Sequence, residues 1–116
     1  MNAFNVIEYL KKEPFDIDEF LLMINRAELL SREEEQALAD KAHQGDDEAI
    51  NQLLCSNARF VPSLASQYKG KGTSMQELLN VGMLALRNAV MEYDVHSEDS
   101  LIKFAVPQIR KALEKM

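Results

Sequence analysis

The sequence predicts an all-α fold, a compact helical bundle of about five to six helices. Three observations support this prediction. Only 4 glycines and 3 prolines interrupt 116 residues, which leaves room for long helices joined by short turns. Apolar residues recur at spacings of three and four along most of the chain. No segment alternates apolar and polar residues around a turn pair such as Asn-Gly, the pattern typical of hairpin strands.

The first two predicted helices lie before residue 28. One covers about residues 3–12 and ends before Pro14. The second runs from Asp16 to about Arg26, where apolar residues recur at helical spacing and form one face. That face consists of Ile17, Phe20, Leu21, Ile24 and Ala27.

Capping signals predict where the next two helices begin. Residues 31–34, Ser-Arg-Glu-Glu, form a capping box, in which Ser31 and Glu34 each accept from the other's backbone N–H. This helix is predicted to end at Gly45, since glycine readily adopts the left-handed conformation that follows a helix. Asp46 is then expected to cap the following helix.

The helix that follows Asp46 contains Pro62. Proline lacks a backbone N–H, so a helix interior loses a hydrogen bond there. The sequence therefore predicts a kink near residues 58–62, or a split into two helices with Ser56 or Asn57 as the second cap. A tolerated kink is favoured over a functional hinge. The apolar seam of this segment is Ile50, Leu54, Asn57, Val61, Leu64 and Tyr68.

Two more helices complete the prediction. A second capping box at residues 74–77 opens a helix that runs to about Tyr93. A polar turn over residues 94–99 leads to a last helix from about Ser100 to Lys115, with a kink or break at 104–107 because of Pro107. The predicted core face of the first of these helices is Leu78, Leu79, Gly82, Leu86, Ala89, Val90 and Tyr93.

Composition and charge exclude several classes of protein. The 13 basic and 19 acidic residues give a net charge of −6, which does not attract phosphate backbones. The single cysteine, Cys55, excludes an intramolecular disulfide framework and fits a reducing compartment. No apolar run approaches a membrane span, and the first residues do not resemble a secretory signal. A cytoplasmic location without membrane contact is therefore expected.

The residues give little support for catalysis, and no enzyme activity or cofactor is predicted. Cys55 lies among leucines, which favours a buried structural thiol. His43 and His96 lie near helix ends and are expected at the surface. The histidines and the cysteine do not have the spacing of a metal site, and the Gly-rich loop at residues 69–74 lacks the spacing of a phosphate-binding loop.

Protein binding is better supported, because the predicted helix over 75–93 is apolar on more than one face. Such a helix either lies at the centre of the core or presents an apolar patch to a partner. The residues favour the central position slightly. The apolar residues outside its predicted core face are Val81, Met83, Leu84 and Met91.

Several short segments occur in an order and at separations that are specific when they are taken together. They are 29–35 (Leu-Leu-Ser-Arg-Glu-Glu-Glu), 45–49 (Gly-Asp-x-x-Ala), 53–61 (Leu-Leu-x-Ser-Asn-x-Arg-Phe-Val), Ala65, Tyr68, Gly70, Gly72, 77–82 (Glu-Leu-Leu-x-x-Gly) and 89–94 (Ala-Val-x-x-Tyr-Asp). Together they resemble the sigma-70 family of bacterial RNA polymerase initiation factors, in the portion called region 1.2 and region 2. The resemblance implies a single domain over 1–116, with an N-terminal extension (1–15), a region 1.2-like part (16–45) and a region 2-like part (46–116).

The resemblance implies binding to core RNA polymerase. In the family this portion docks on the clamp helices of the largest polymerase subunit, through a segment that reads Asp-Leu-Ile-Gln-Glu-Gly-Asn. Here Val81 replaces an acid and Met83 replaces an amide. Docking is therefore expected in an altered form, with apolar contact in place of charge-assisted bonds. The implied polymerase-binding residues are Glu77, Asn80, Val81, Met83, Leu84 and Arg87.

The family also melts the minus-ten promoter element with aromatic and basic residues of the last helix. Flipped bases need aromatic faces on which to stack, but here the family's tryptophan pair is replaced by Pro107 and Gln108. Asp18 stands where many members carry an arginine. Promoter DNA binding is therefore expected to be weak or absent. The residual DNA-binding residues are Lys103, Phe104, Arg110 and Lys111.

The favoured hypothesis is a degenerate, truncated sigma-like domain, without the domains that read the upstream promoter element, that binds RNA polymerase and regulates transcription. Two alternatives remain. In one, the chain is a genuine sigma-type DNA-binding initiation factor. In the other, the sigma fold has been reused as a protein-interaction or self-association module, with a possible homodimer formed through Val81, Met83, Leu84 and Met91.

Overall fold

The computed structural model describes residues 5–116, and the predicted all-α class is confirmed for them. Seven α-helices and one 3₁₀ turn follow one another within this range. They are α1 (Val6–Tyr9), α2 (Ile17–Asn25), α3 (Arg32–His43), α4 (Asp47–Asn57), the 3₁₀ turn (Ala58–Phe60), α5 (Val61–Ser66), α6 (Met75–Glu92) and α7 (Leu101–Glu114). None of the helices in residues 5–116 is long and apolar enough to cross a bilayer.

The predicted capping signals are confirmed. At the start of α3, Ser31 Oγ accepts from the Glu34 N–H at 3.1 Å, and Glu34 Oε1 accepts from the Ser31 N–H at 2.9 Å. Gly45 follows α3 with a φ of 94°, a left-handed conformation that other residues adopt only with strain. Asp46 Oδ1 then accepts from two N–H groups in the first turn of α4. Local sequence therefore fixes these helix ends.

The predicted helix over 3–12 lies partly outside the described residues. Its described part is shorter than expected, because α1 has only one turn. Asn5 Oδ1 caps this turn by accepting from the Glu8 N–H at 3.0 Å. Val6 and Leu10 are buried, so two apolar side chains anchor the segment to the core. The second predicted helix, by contrast, agrees closely with α2, which Asp16 caps.

The two prolines have different consequences. Around Pro62 the segment splits, because the 3₁₀ turn separates α4 from α5 and Pro62 lies in the first turn of α5, where no N–H is needed. The predicted second cap is wrong: Ser56 Oγ and Asn57 Nδ2 both donate to the Leu53 carbonyl instead. Of the two alternatives predicted near Pro107, a break is wrong, since α7 continues through it, and a kink stays a prediction.

Helix α6 lies at the centre of the bundle and contacts α1, α3, α4, α5 and α7. All seven residues of its predicted core face are buried, which confirms the central position. At Gly82, side chains of α5 and α7 pack close to the backbone of α6, since a Cβ there would lie 2.7 Å from Val61 Cγ1 and 3.7 Å from Ile109 Cγ2. The helix therefore has one fully packed side and one side that faces outward.

Candidate functional site

The outward side of α6 carries most of the predicted polymerase-binding residues. Leu84 is 41% exposed, Glu77 and Arg87 are exposed, and Asn80 and Val81 are half-buried at the edges. Met83 departs from the prediction because it is fully buried in the core. It lies one helical turn from the buried Leu79 and Leu86. Its side chain therefore packs in the core, on the opposite side of α6 from a partner.

Two further residues belong to the same outward side, which we call the α6 ridge. They are the exposed Asn88 and Met91, of which Met91 is 39% exposed. Helical spacing of three and four places them in line with the predicted residues. The α6 ridge thus consists of Glu77, Asn80, Val81, Leu84, Arg87, Asn88 and Met91.

Grooves flank the α6 ridge on both sides. On one side the segment after α1 lies against the start of α6, and Gln76 Nε2 donates to the Leu10 carbonyl at 2.7 Å and to the Lys12 carbonyl at 3.3 Å. The groove there has a volume of about 430 Å³. On the other side, a groove of about 510 Å³ separates the second half of α6 from the end of α7. A helix from a partner could lie on the ridge between them.

The four predicted DNA-binding residues do not form one free surface. The Phe104 ring packs against Tyr93, with ring centroids 5.8 Å apart. Arg110 Nη1 donates to Gln67 Oε1 at 3.0 Å. Lys103 Nζ lies 3.5 Å from Asp99 Oδ1, in an exposed i,i+4 ion pair. Lys111 is exposed beside the groove between α6 and α7.

The sequence interpretation missed a contact in which α3 holds the start of α7. The side chain of Glu35 is buried, and its Oε1 accepts from the Leu101 N–H at 3.1 Å. Arg32 donates to the carbonyls of Glu98 and Ser97 at 2.8 and 2.7 Å. These partners lie 65 or 66 residues apart along the chain, so no local pattern could reveal them.

Cys55 lies half-buried in a groove of about 500 Å³ between α3 and α4. Burial raises the pKa of its thiol to about 11, so the thiol stays protonated and weakly nucleophilic at neutral pH. His43 is exposed as expected, and its Nε2 lies 2.8 Å from the Val90 carbonyl. In the described part of the chain, no group of three or more His, Cys, Asp or Glu side chains could hold a metal ion.

The chain is similar in sequence to several known proteins. Residues 20–48 match the family described as Sigma-70 factor, region 1.2. The chain is 33% identical over 101 residues to the RNA polymerase sigma-C factor of Myxococcus xanthus, covering 87% of this chain and 34% of that protein. It is 34% identical over 96 residues to the RNA polymerase sigma factor SigA of Listeria monocytogenes and that of Listeria innocua, covering 83% of this chain and 26% of each relative.

These matches identify most of the chain as sequence of the kind found in bacterial sigma factors. More narrowly, the chain belongs to the sigma-70 family. It spans between a quarter and about a third of the length of the relatives that it matches.

Proposed function

We propose that the chain binds core RNA polymerase through the α6 ridge and regulates transcription, with weakened promoter melting. Its relatives are named as RNA polymerase sigma factors. The observation that carries the proposal is the position of Leu84, which is 41% exposed on a helix whose opposite side is packed into the core. An apolar side chain held outward by a rigid scaffold is a natural centre for a docking surface.

The chemistry of the α6 ridge suits a coiled-coil partner such as the clamp helices that the family resemblance implies. Val81 and Leu84 provide an apolar centre, while Asn80 and Arg87 provide hydrogen-bond donors at its edge. Interfaces of this kind combine a buried apolar core with a polar rim. Since Val81 stands where the family carries an acid, we expect the affinity to depend less on salt than a charge-assisted contact would.

Weakened promoter melting is the second part of the proposal. The chain contains no tryptophan, and the aromatic face of Phe104 is partly occupied by Tyr93. Base stacking on an aromatic ring contributes about 1–3 kcal/mol per base, so an occupied or missing ring lowers affinity for a melted strand. Asp99 beside Lys103 further reduces the attraction to phosphate.

A genuine initiation factor remains the second candidate, because Lys103 and Lys111 are exposed on α7 and could contact a DNA backbone. Promoter-dependent transcription with added core polymerase distinguishes the two. The proposed regulator does not start transcription by itself and changes the output of an authentic sigma factor. Promoter-specific transcripts made by the chain alone with core enzyme would favour the second candidate.

Competition binding tests the docking proposal. The purified chain should displace a labelled housekeeping sigma factor from core polymerase. Leu84→Asp should weaken this displacement about 30-fold or more, since central interface residues contribute about 2 kcal/mol or more. Leu22→Asp is the matched control, because Leu22 is 52% exposed and belongs to α2, outside the α6 ridge. Equal effects of the two variants, or no displacement by the unaltered chain, would overturn the proposal.

A further inference from the structure

The α6 ridge has the spacing of a coiled-coil seam. Glu77, Val81, Leu84, Asn88 and Met91 follow one another at intervals of four, three, four and three residues. This is the a/d spacing with which one helix packs against another, and Val81 and Leu84 occupy neighbouring a and d positions. Leu84 and Met91 are the exposed apolar members of the seam.

The two ends of the seam carry opposite charge. The groove at the start of α6 is lined by one cation, Lys11, and two carboxylates, Glu13 and Glu77. The groove at the end of α6 is lined by Lys111 and Lys115 together with one carboxylate, Glu92. A helix pair that brings the first end of one chain to the second end of another therefore gains electrostatic complementarity.

We propose that two copies of this chain pair through the seam of α6 in an antiparallel arrangement. The seam is self-complementary in one register. Val81 packs against the partner's Leu84, and Leu84 against the partner's Val81. Glu77 then lies opposite the partner's Asn88, whose amide N–H donates to the Glu77 carboxylate. Because each contact occurs twice about a two-fold axis, the interface is isologous and closes as a dimer.

A parallel pair lacks these advantages. It would set Glu77 beside the partner's Glu77 at a d position of the seam, and like charges across a helix pair repel. The antiparallel arrangement also places each helix end near the opposite end of the partner's dipole. The apolar centre contains only two valines and two leucines, so we expect a weak dimer, with a dissociation constant on the order of 100 µM.

The dimer covers the surface that we propose for RNA polymerase, so the two states exclude each other. Dilution or excess core polymerase then releases the monomer by mass action. This consequence rests on the proposed function, whereas the dimer itself does not.

Asn88 offers a matched pair of test variants, because it is exposed and lies opposite the partner's Glu77 in the proposed register. Sedimentation equilibrium of the full chain from about 5 µM to 1 mM, a range that brackets a dissociation constant on the order of 100 µM, should show a monomer–dimer equilibrium. Asn88→Lys faces the partner's Glu77 and should tighten the dimer about fivefold, whereas Asn88→Asp should weaken it about fivefold. Helicity by circular dichroism should be the same for both variants.

Disulfide trapping tests the register. In a Cys55→Ala background, a mixture of Val81→Cys and Leu84→Cys chains should cross-link to the mixed dimer faster than either chain cross-links alone. A monomer at all concentrations, a dimer insensitive to both Asn88 variants, or no preference for the mixed cross-link would each overturn the proposal. A chain that binds polymerase but stays monomeric overturns the dimer alone, and a chain that dimerises without binding polymerase overturns the proposed function alone.

Discussion

Helices α6 and α7 are the two longest of the described residues, with 18 and 14 residues, and they pack against each other. Their outward sides differ. On α6, Val81 and Leu84 reach the surface beside the polar side chains of Asn80 and Arg87. On α7, the aromatic Phe104 packs on Tyr93, and Lys103 pairs with Asp99. The difference teaches that residue type alone does not define a binding surface. A side chain that already contacts another residue of the same chain is less available to bind a partner.

The largest expected effect comes from overfilling the contact that α6 makes with α5 and α7 at Gly82. Gly82→Val places bulk where even a Cβ would lie 2.7 Å from Val61 Cγ1, so overpacking should lower the free energy of unfolding by about 2–3 kcal/mol. Asn88→Val introduces the same side chain on the exposed side of α6. This control should change the free energy of unfolding by less than about 0.5 kcal/mol. Urea denaturation measures both. A Gly82→Val chain as stable as the unaltered one would show that α5 and α7 do not constrain α6.

A smaller loss of stability is expected when the hydrogen bond between α3 and the start of α7 is removed. Glu35→Ala leaves the Leu101 N–H without its acceptor, which should cost about 1–3 kcal/mol. Amide hydrogen exchange should accelerate at Leu101 and in the first turn of α7. The exposed Glu33, in the same turn of α3, provides the control variant Glu33→Ala. Equal acceleration in both variants would contradict a specific role of Glu35.

The N-terminal caps of α6 and α7 also differ, in the number of hydrogen bonds that they make. Ser74 takes part in a capping box with two reciprocal bonds to Glu77, whereas Ser100 makes one bond, to the Lys103 N–H at 3.3 Å. Ser74→Ala should therefore cost about 1.5 kcal/mol and Ser100→Ala about 0.7 kcal/mol, within the usual range for caps. Thermal unfolding of the two variants gives the order, and a larger loss for Ser100→Ala would reverse the comparison.

The smallest effect is expected at the ion pair of α7. Lys103→Ala removes the contact with Asp99, but both side chains are largely exposed, so stability should change by less than about 0.5 kcal/mol. The change should shrink further in high salt. A loss above about 1 kcal/mol would mean that this pair contributes to the fold far more than an exposed pair does.

The helix ends could be predicted from the sequence because caps are local. Ser31, Asp46 and Ser74 each bond within the next four residues, so residue type and spacing suffice. The structural effect of each proline is harder to predict from the sequence, because it depends on tertiary packing. Pro107 and Lys103 share the exposed side of α7, where water can satisfy the Lys103 carbonyl, while Leu101, Ala105, Ile109 and Leu113 anchor both halves of the helix.

The candidate site was predicted in part. Helical spacing places Leu84 outward and could also have placed Met83 inward, since Met83 follows the buried Leu79 at an interval of four. The contacts of Glu35 and Arg32 with the start of α7 could not be predicted, because they join residues far apart in the chain. The division of the chain at residues 15 and 45 stays a prediction.

The most direct test measures the affinity of the chain for core RNA polymerase with one variant on each helix. Leu84→Asp alters the α6 ridge, and the double variant Lys103→Ala/Lys111→Ala alters the outward side of α7. We expect Leu84→Asp to weaken polymerase binding about 30-fold or more, and the double variant to leave it within about twofold. Loss of binding in the α7 variant, with Leu84→Asp unaffected, would contradict the assignment of polymerase docking to α6.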